Sequence, residues 1–355
     1  MDKLKILKEV GEEIVTEEEL AAALSEGKEL SAYDGFEPSG RVHIAQGLMR
    51  AININKMTQT GVKFKMLVAD WHAWANNKMG GDLEKIQDVG KYMIEVWKAC
   101  GLDTNNVEFH WASELVKDDD YWQLVLQIAR MSTVKRIIRC SQIMGRSESE
   151  SLSAAQIFYP CMQAADIFYL GADICQLGMD QRKVNMLARE VGPQLGYYKP
   201  MIISHHMLMG LKPPAEDVAD SVEKQISMKM SKSDPESAIF MTDSEEDVKR
   251  KLKKAYCPEG VILENPVLEY CRYMIFERFD EMVVERPEKF GGNLNIANYT
   301  ELENLFEQKQ LHPLDLKKTV AVYINKMLQS VRDYFEENET AKEIKKKAES
   351  HQVTK

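Results

Sequence analysis

The chain has 355 residues, 44% hydrophobic and 29% charged, with a formal net charge of −10, proportions that suit a folded protein of about two domains with a large core. No apolar run approaches the roughly 18 residues of a membrane span, and the start Met1-Asp2-Lys3-Leu4-Lys5 lacks an apolar leader, so neither a membrane protein nor a secreted one is expected. The six cysteines are widely spaced without a C-x-x-C, and the seven histidines, including the adjacent His205-His206, show no ligand spacing, so the expectation is reduced buried thiols and no protein-held metal.

In chain order, strands alternate with helices, which implies a parallel sheet. Thr16-Glu17-Glu18-Glu19 reads as a capping box opening a short helix to Ser25. Leu30 to Phe36 is the first strand, Glu37-Pro38-Ser39-Gly40 a turn, and Ile44 to Thr60 a helix stopped by Gly61. Val62 to Asp70 is a second strand, followed by a loop with Asn76, Asn77 and Gly80-Gly81. Leu83, Ile86, Val89, Met93, Val96 and Trp97 keep helical spacing to Cys100, and Val107 to Trp111 is a third strand. Tyr121 to Met144 reads as one helix with a basic second half, then Ala154 to Leu170 is helical. Ile174 to Leu177 and Met201 to Ser204 are strands flanking a helix from Gln181 to Val191, and Gly210 to Gln225 is a connector. After Asp243 the pattern is helices only: Thr242-Asp243-Ser244-Glu245 caps a basic helix ending near Tyr256, and one apolar stripe runs from Pro313 through Leu316, Val320, Tyr323, Met327, Val331 and Tyr334. The tail Lys342 to Lys347 reads as a frayed charged helix end. The expected fold is α/β, a Rossmann-like parallel-sheet unit over 1–225, a loop and connector over 226–242, and an all-helical unit over 243–355.

Two motifs carry chemistry. Lys229-Met230-Ser231-Lys232-Ser233 is a lysine pair in a Ser/Met loop, suited to neutralising a polyphosphate. His43-Ile44-Ala45-Gln46 sits at a strand-to-helix turn, where backbone N–H groups attract anions. A third pattern is a polar stripe at i, i+4 and i+7 (Tyr159, Gln163, Asp166) on a helix whose other faces are apolar. Buried phenol, amide and carboxylate need partners, which are either other core polar groups or a ligand. Gln181 at the next strand-to-helix turn and Tyr33 on the first strand point toward the sheet's carboxyl edge, where open α/β sheets bind ligands. Two basic faces, Lys135-Arg136 with Arg139 and Lys249-Arg250-Lys251 with Lys253-Lys254, offer a local route to phosphate despite the acidic total.

The early histidine and late lysine loop resemble the two signature motifs of class I aminoacyl-tRNA synthetases. With Ala-Tyr-x-Gly-Phe-Glu-Pro-Ser-Gly around Tyr33, Tyr-Pro-x-Met-Gln-x-x-Asp at Tyr159 to Asp166, Gly-Met-x-Gln-Arg-Lys at Gly178 to Lys183, Lys-Lys-Ala-Tyr-Cys-Pro at Lys253 to Pro258 and Leu-His-Pro-x-Asp-Leu-Lys at Leu311 to Lys317, the chain resembles the tyrosyl-tRNA synthetases of archaeal and eukaryotic type. The resemblance covers about Ser31 to Phe335. It implies activation of L-tyrosine with ATP to tyrosyl-adenylate and transfer to the 3′ end of tRNA(Tyr) in a cytoplasmic homodimer, with Mg²⁺ arriving on ATP. It further implies that Tyr33 and Asp166 bind the substrate hydroxyl, while Tyr159, Gln163 and Gln181 hold its ammonium end. His43, Gly35, Lys229, Met230, Ser231, Lys232 and Ser233 meet ATP, with His43, Gln46, Lys229 and Lys232 catalytic. Arg182 meets the acceptor stem, and Phe290 and Asp315 the anticodon. One departure stands out: the early motif is most often His-x-Gly-His, whereas here Ala45 and Gln46 occupy its last two places, so Gln46, which donates a hydrogen bond but carries no charge, would replace a histidine. A tryptophanyl enzyme shares the fold and both signature motifs, but Tyr33 with Asp166 suits a phenol hydroxyl. A catalytically inactive RNA-binding relative would have no need of the intact lysine loop.

Overall fold

The computed structural model describes residues 2–140, 144, 151–214, 221–232 and 234–351. A six-stranded sheet has the order β1-β6-β5-β2-β3-β4, with β1 Glu13–Val15, β2 Ser31–Phe36, β3 Lys63–Val68, β4 Val107–Trp111, β5 Ile174–Cys175 and β6 Met201–Ser204. β2 to β6 pair in parallel, Tyr33 standing opposite Lys65 on one side and Cys175 on the other. β1, which the sequence reading missed, adds antiparallel to β6. It is three half-buried residues long, too short to show a period.

Helices between the parallel strands cover both faces of the sheet, as parallel pairing requires. The sheet separates two hydrophobic cores. Ala32, Phe36, Phe64 and Met66 belong to the core that contains helix Leu83–Ala99 and runs on into Leu316, Val320 and Leu328 of the C-terminal helices. Tyr33, Leu67 and Cys175 face the other, built on helices Asp119–Met131 and Ala154–Tyr169. All six cysteines are buried and free.

Four expectations need correction. The helix expected from Tyr121 divides into Asp119–Met131 and Val134–Ile138: Ser132 is extended, and Thr133 caps the second piece through Arg136 N–H. Most of the remainder of that stretch, to 150, lies outside the described residues. The strand expected to reach Asp70 stops at Val68, and Asp70–Ala75 is a helix. The helical unit contains a hairpin, Met282–Val284 (β7) with Leu294–Ile296 (β8). Finally, the tail is not frayed: Glu339–Ser350 is a helix docked on Leu83–Ala99, with Ala341 and Ala348 buried and both Lys347 (2.9 Å) and His351 (3.0 Å) on the buried Asp88. Ala341, Ile344 and Ala348 form a short apolar stripe that joins the main core, and the ion pairs to Asp88, which local sequence does not reveal, add to it.

A fifth correction is that the expected connector Gly210 to Gln225 ends in a helix, Ser221–Met228, that leads into the lysine loop; elsewhere the expected elements stand close to their positions. Ser153 and Gln156 close a reciprocal capping box that starts Ala154–Tyr169, and Pro160 sits inside that helix without ending it. The stretch from Ala45 begins as one wide turn to Met49 and continues as helix Arg50–Gln59, ended at Gly61, whose φ of +91° suits glycine.

Candidate active site

The carboxyl ends of β2 and β5 and the loop after β6 open into one pocket lined by Tyr33, Gly35, His43, Gln46, Tyr159, Gln163, Asp166, Gln181, Lys229 and Met230. Residues separated by up to two hundred positions therefore meet at the crevice that sheet topology creates.

At its buried end Asp166, fully enclosed, accepts a hydrogen bond on Oδ1 from Tyr121 Oη at 2.8 Å. Its Oδ2 lies 3.0 Å from His72 Nε2, an ion pair without hydrogen-bond alignment, so that oxygen keeps an unfilled acceptor. Burial is the largest single influence on His72 and pushes it down, but Asp166 together with Glu37 and Asp70 outweighs it, so the imidazole pKa is raised and the imidazolium is favoured beside the carboxylate. Burial, reinforced by Asp166, pushes the phenols of Tyr33 and Tyr121 well above the ordinary range, so both stay protonated donors. His72 and Tyr121 were missed by the sequence reading. His72 sits on the unanticipated helix Asp70–Ala75, and Tyr121 is one apolar-face residue among many, so no spacing signal marks either.

Midway, Gln163 Nε2 donates to Gln181 Oε1 at 3.0 Å, joining the helix stripe to the turn after β5. Burial first, then the neighbouring Glu37, pushes the Tyr159 phenol well above the ordinary range, and Glu37 also accepts from Asn76 Nδ2 at 3.0 Å and faces Lys78 at 3.6 Å. Glu37, read from sequence only as a turn residue, thus places a carboxylate in the pocket wall where an ammonium group can meet it.

The outer end is cationic. His43 is fixed because its segment pairs with the strand-like residues after the lysine loop: Ile44 N–H donates to Ile239 O at 2.9 Å and Met241 N–H to Val42 O at 2.9 Å. Gly47 permits that approach, since a Cβ there would stand 2.6 Å from Met241 Sδ. Burial first, then Lys232 and Lys229, holds His43 well below the ordinary range, so it is a neutral imidazole with Nδ1 unpartnered. Gln46 backbone oxygen accepts from Trp97 Nε1 at 2.8 Å while its own Oε1 is buried and unpartnered. Lys229 Nζ lies 2.8 Å from Asp180 Oδ2, and Lys232 Nζ donates to Ser39 Oγ at 3.0 Å. Burial, with Lys78 adding to it, lowers Lys232 to about 8. Ser231 lies in the same loop, and Ser233 lies outside the described residues.

Beneath the pocket a further buried pair joins Arg50 to Asp34 (Nη2 to Oδ2, 2.9 Å), with Arg50 also donating to Gln176 O at 3.2 Å. Burial raises Asp34 to about 7, and Arg50 opposes the rise.

The three residues expected to meet tRNA lie apart from this pocket. Arg182 begins helix Arg182–Val191 and is held by Glu13 of β1 at 2.6 Å. Phe290 is 60% exposed on the β7–β8 connection, and Asp315 is in the first turn of helix Pro313–Glu337. The two basic faces are partly neutralised: Arg136 pairs with Glu190 at 3.0 Å, Arg250 with Glu236 at 2.6 Å, and Lys251 is buried on Asp243. Lys135, Arg139, Lys253 and Lys254 remain exposed.

A sequence profile of the class I tRNA synthetases (W and Y) matches residues 25–329. Tyrosine–tRNA ligase 1, cytoplasmic, of Arabidopsis thaliana is 53% identical over 99% of this chain and 89% of its own length. The Pyrococcus horikoshii tyrosyl-tRNA synthetase structure complexed with L-tyrosine superposes with a TM-score of 0.89 at 40% identity, covering 97% of this chain and 99% of that one. The Leishmania major tyrosyl-tRNA synthetase in complex with tyrosinol gives 0.90 at 44% identity over 99% of this chain, which spans 52% of that longer one. The chain belongs to the class I tRNA synthetases for tryptophan and tyrosine and, within them, to the tyrosine–tRNA ligases of archaeal and eukaryotic type.

Proposed function

We propose that the pocket activates L-tyrosine with ATP and passes the tyrosyl group to tRNA(Tyr). The observation that carries the choice of amino acid is the enclosed Asp166 with one unfilled acceptor beside Tyr33: this pair of groups suits a phenol hydroxyl, and the indole N–H of tryptophan, a donor only, cannot serve both. Glu37, Tyr159, Gln163 and Gln181 then face the ammonium, which leaves the substrate carboxylate toward the cationic end.

In the first step a tyrosine carboxylate oxygen attacks the α-phosphorus, an acyl–phosphate bond forms, and pyrophosphate leaves. Catalysis is positioning plus stabilisation of charge on the phosphates. Lys229 and Lys232 supply cations, while neutral His43 acts as a hydrogen-bonding partner held in place by its pairing to Phe240. Mg²⁺ travels with ATP as part of the substrate. In the second step a terminal tRNA hydroxyl attacks the acyl carbon and AMP leaves, so no side chain becomes a covalent nucleophile. Met230, Gly35, Ser231 and Ser233 belong to the ATP side of this reading, and Gln46 stands in for the second histidine of the early motif. Residues 243–355 form the anticodon-binding unit, where Phe290 and Asp315 read tRNA, while Arg182 meets its acceptor stem.

The working form is a homodimer in the cytoplasm. Exposed Leu126 (56%) and Val134 (62%), with Met131 and Phe158, lie on the neighbouring helices Asp119–Met131, Val134–Ile138 and Ala154–Tyr169 and offer an apolar face for a second copy. No helix among the described residues is long and apolar enough to cross a membrane. The deciding experiment is ATP–pyrophosphate exchange with tyrosine, tryptophan and phenylalanine. Exchange dependent on tyrosine alone supports the reading, and preference for tryptophan sinks it.

A further inference from the structure

A second cavity, of about 350 Å³, opens where the end of the tail helix Glu339–Ser350 closes against helix Leu83–Ala99. Its walls include Arg41 from the turn after β2, Tyr92, Thr242, and Ala348, Glu349 and His351 of the tail. None of these lines the candidate active site. Tyr92 is 2% exposed and its Oη has no hydrogen-bond partner; burial first, then Glu349, raises the phenol, so it stays a protonated donor. A buried hydroxyl left unpaired costs free energy until something supplies an acceptor. Arg41, near enough to act on that phenol, is fixed by Nη2 on Asp243 Oδ1 (2.7 Å) and Thr242 Oγ1 (3.1 Å) and by its place 3.9 Å over the Phe240 ring. Among the described residues no hydrogen bond holds its Nε or Nη1, so part of the guanidinium fork is available. The tail brings the opposite sign: Glu349 is exposed in the last turn of its helix, where the helix C-terminus adds partial negative charge.

We propose that this cavity is a binding site for a small zwitterion of amino-acid type, with its carboxylate on Arg41 and Tyr92 and its ammonium on Glu349. A planar carboxylate matches the guanidinium fork and also accepts from the phenol, which pairs the orphaned hydroxyl. A plain anion would leave Glu349 opposing it, and a plain cation would leave Tyr92 unpaired. Only a two-ended ligand satisfies all three groups. Because the end of the tail forms part of the site, the ligand binds the docked tail and holds it there by mass action.

The probe is γ-aminobutyrate, with butyrate and butylamine as one-ended controls, each titrated against the full chain by saturation-transfer NMR. The zwitterion is expected to bind with a Kd on the order of 1 mM, about fivefold or more tighter than either control. Tyr92→Phe should weaken that binding about fivefold, while its ligand-free Tm is no lower than the parent's because the hydroxyl has no partner to lose. Glu349→Gln should bind γ-aminobutyrate and butyrate alike. With probe at about tenfold over Kd, hydrogen exchange in the tail helix of the parent should slow about tenfold. No binding to the parent overturns the proposal, and so does equal affinity for butyrate, which would make the cavity an anion site. Binding unchanged in both variants also overturns it, since neither residue lines the active site and the probe would then sit elsewhere. A ligand-free Tyr92→Phe chain clearly less stable than the parent would mean that the hydroxyl already has a partner, which removes the reason for the site. Should Tyr92→Phe fail to fold, Glu349→Gln at its exposed position decides alone. None of these measurements needs turnover, so they stand apart from the proposed activation of tyrosine.

Discussion

Discrimination between tyrosine and phenylalanine is the most exacting consequence of the pocket, because the two differ by one hydroxyl. Asp166 is enclosed; Tyr121 fills Oδ1 and nothing aligned fills Oδ2. When phenylalanine enters, that oxygen keeps its ion pair with His72 but gains no hydrogen bond, a cost of about 2–3 kcal/mol, and Tyr33 loses a partner worth about 1 kcal/mol. The sum of about 3–4 kcal/mol corresponds to a preference of roughly 10²–10³ in kcat/KM at ~1.4 kcal/mol per decade. Tyr33→Phe should lower tyrosine kcat/KM about fivefold, and Asp166→Asn by about 30- to 100-fold, with phenylalanine changed less than about twofold in each. Asparagine is the better probe than alanine: it keeps the volume and an acceptor for Tyr121, where alanine would strand both Tyr121 and His72 in the core. The assay is pyrophosphate exchange with each amino acid on variants whose thermal unfolding remains cooperative. If the tyrosine-to-phenylalanine ratio is unchanged in both, the hydroxyl does not bind at Asp166 and the substrate orientation is wrong.

Lys232, lowered by burial to about 8, is charged below that pH and neutral above it. The kcat/KM for ATP should therefore fall about tenfold per pH unit above 8, and Lys232→Arg, always charged, should move that limb upward; a profile identical in both removes the charge from phosphate binding. His206 is opposed by burial but held up to about 9 by Glu12 and Glu269. Raised from an ordinary 6.5, it adds about 3 kcal/mol that is complete below pH 6.5 and lost as pH rises through 9. Urea midpoints of parent and His206→Gln should accordingly converge between those values, and a constant gap would contradict the assignment. Asp315→Ala and Phe290→Ala should impair tRNA charging by tenfold or more while exchange stays within about twofold, whereas equal losses in both assays would indicate a folding defect. Leu126→Lys with Val134→Lys should give a monomer by light scattering; a dimer of unchanged mass would place the interface elsewhere.

Much of the catalytic half was legible in one dimension because its signals are local. Helical spacing from Leu83 to Trp97, the β-rich run to Phe36 and the capping residues Thr16 and Ser244 act within a turn or two of chain, so those elements emerge from the residues themselves. The same holds for the polar stripe of Tyr159, Gln163 and Asp166, whose spacing already demanded partners. Which partners they receive is decided elsewhere. Tyr121 and His72 reach Asp166 only because tertiary packing sets helix Asp119–Met131 and helix Asp70–Ala75 against helix Ala154–Tyr169. Likewise β1 exists because β6 offers it an edge, and the lysine-rich tail helix docks through Ala341, Ile344 and Ala348 on the core and through Lys347 and His351 on the buried Asp88 of helix Leu83–Ala99. Local free energies of helix, turn and strand are written by neighbours in sequence. Desolvated charges take their meaning from whatever the folded chain places within about 3–4 Å, and that distance is a property of the tertiary structure alone.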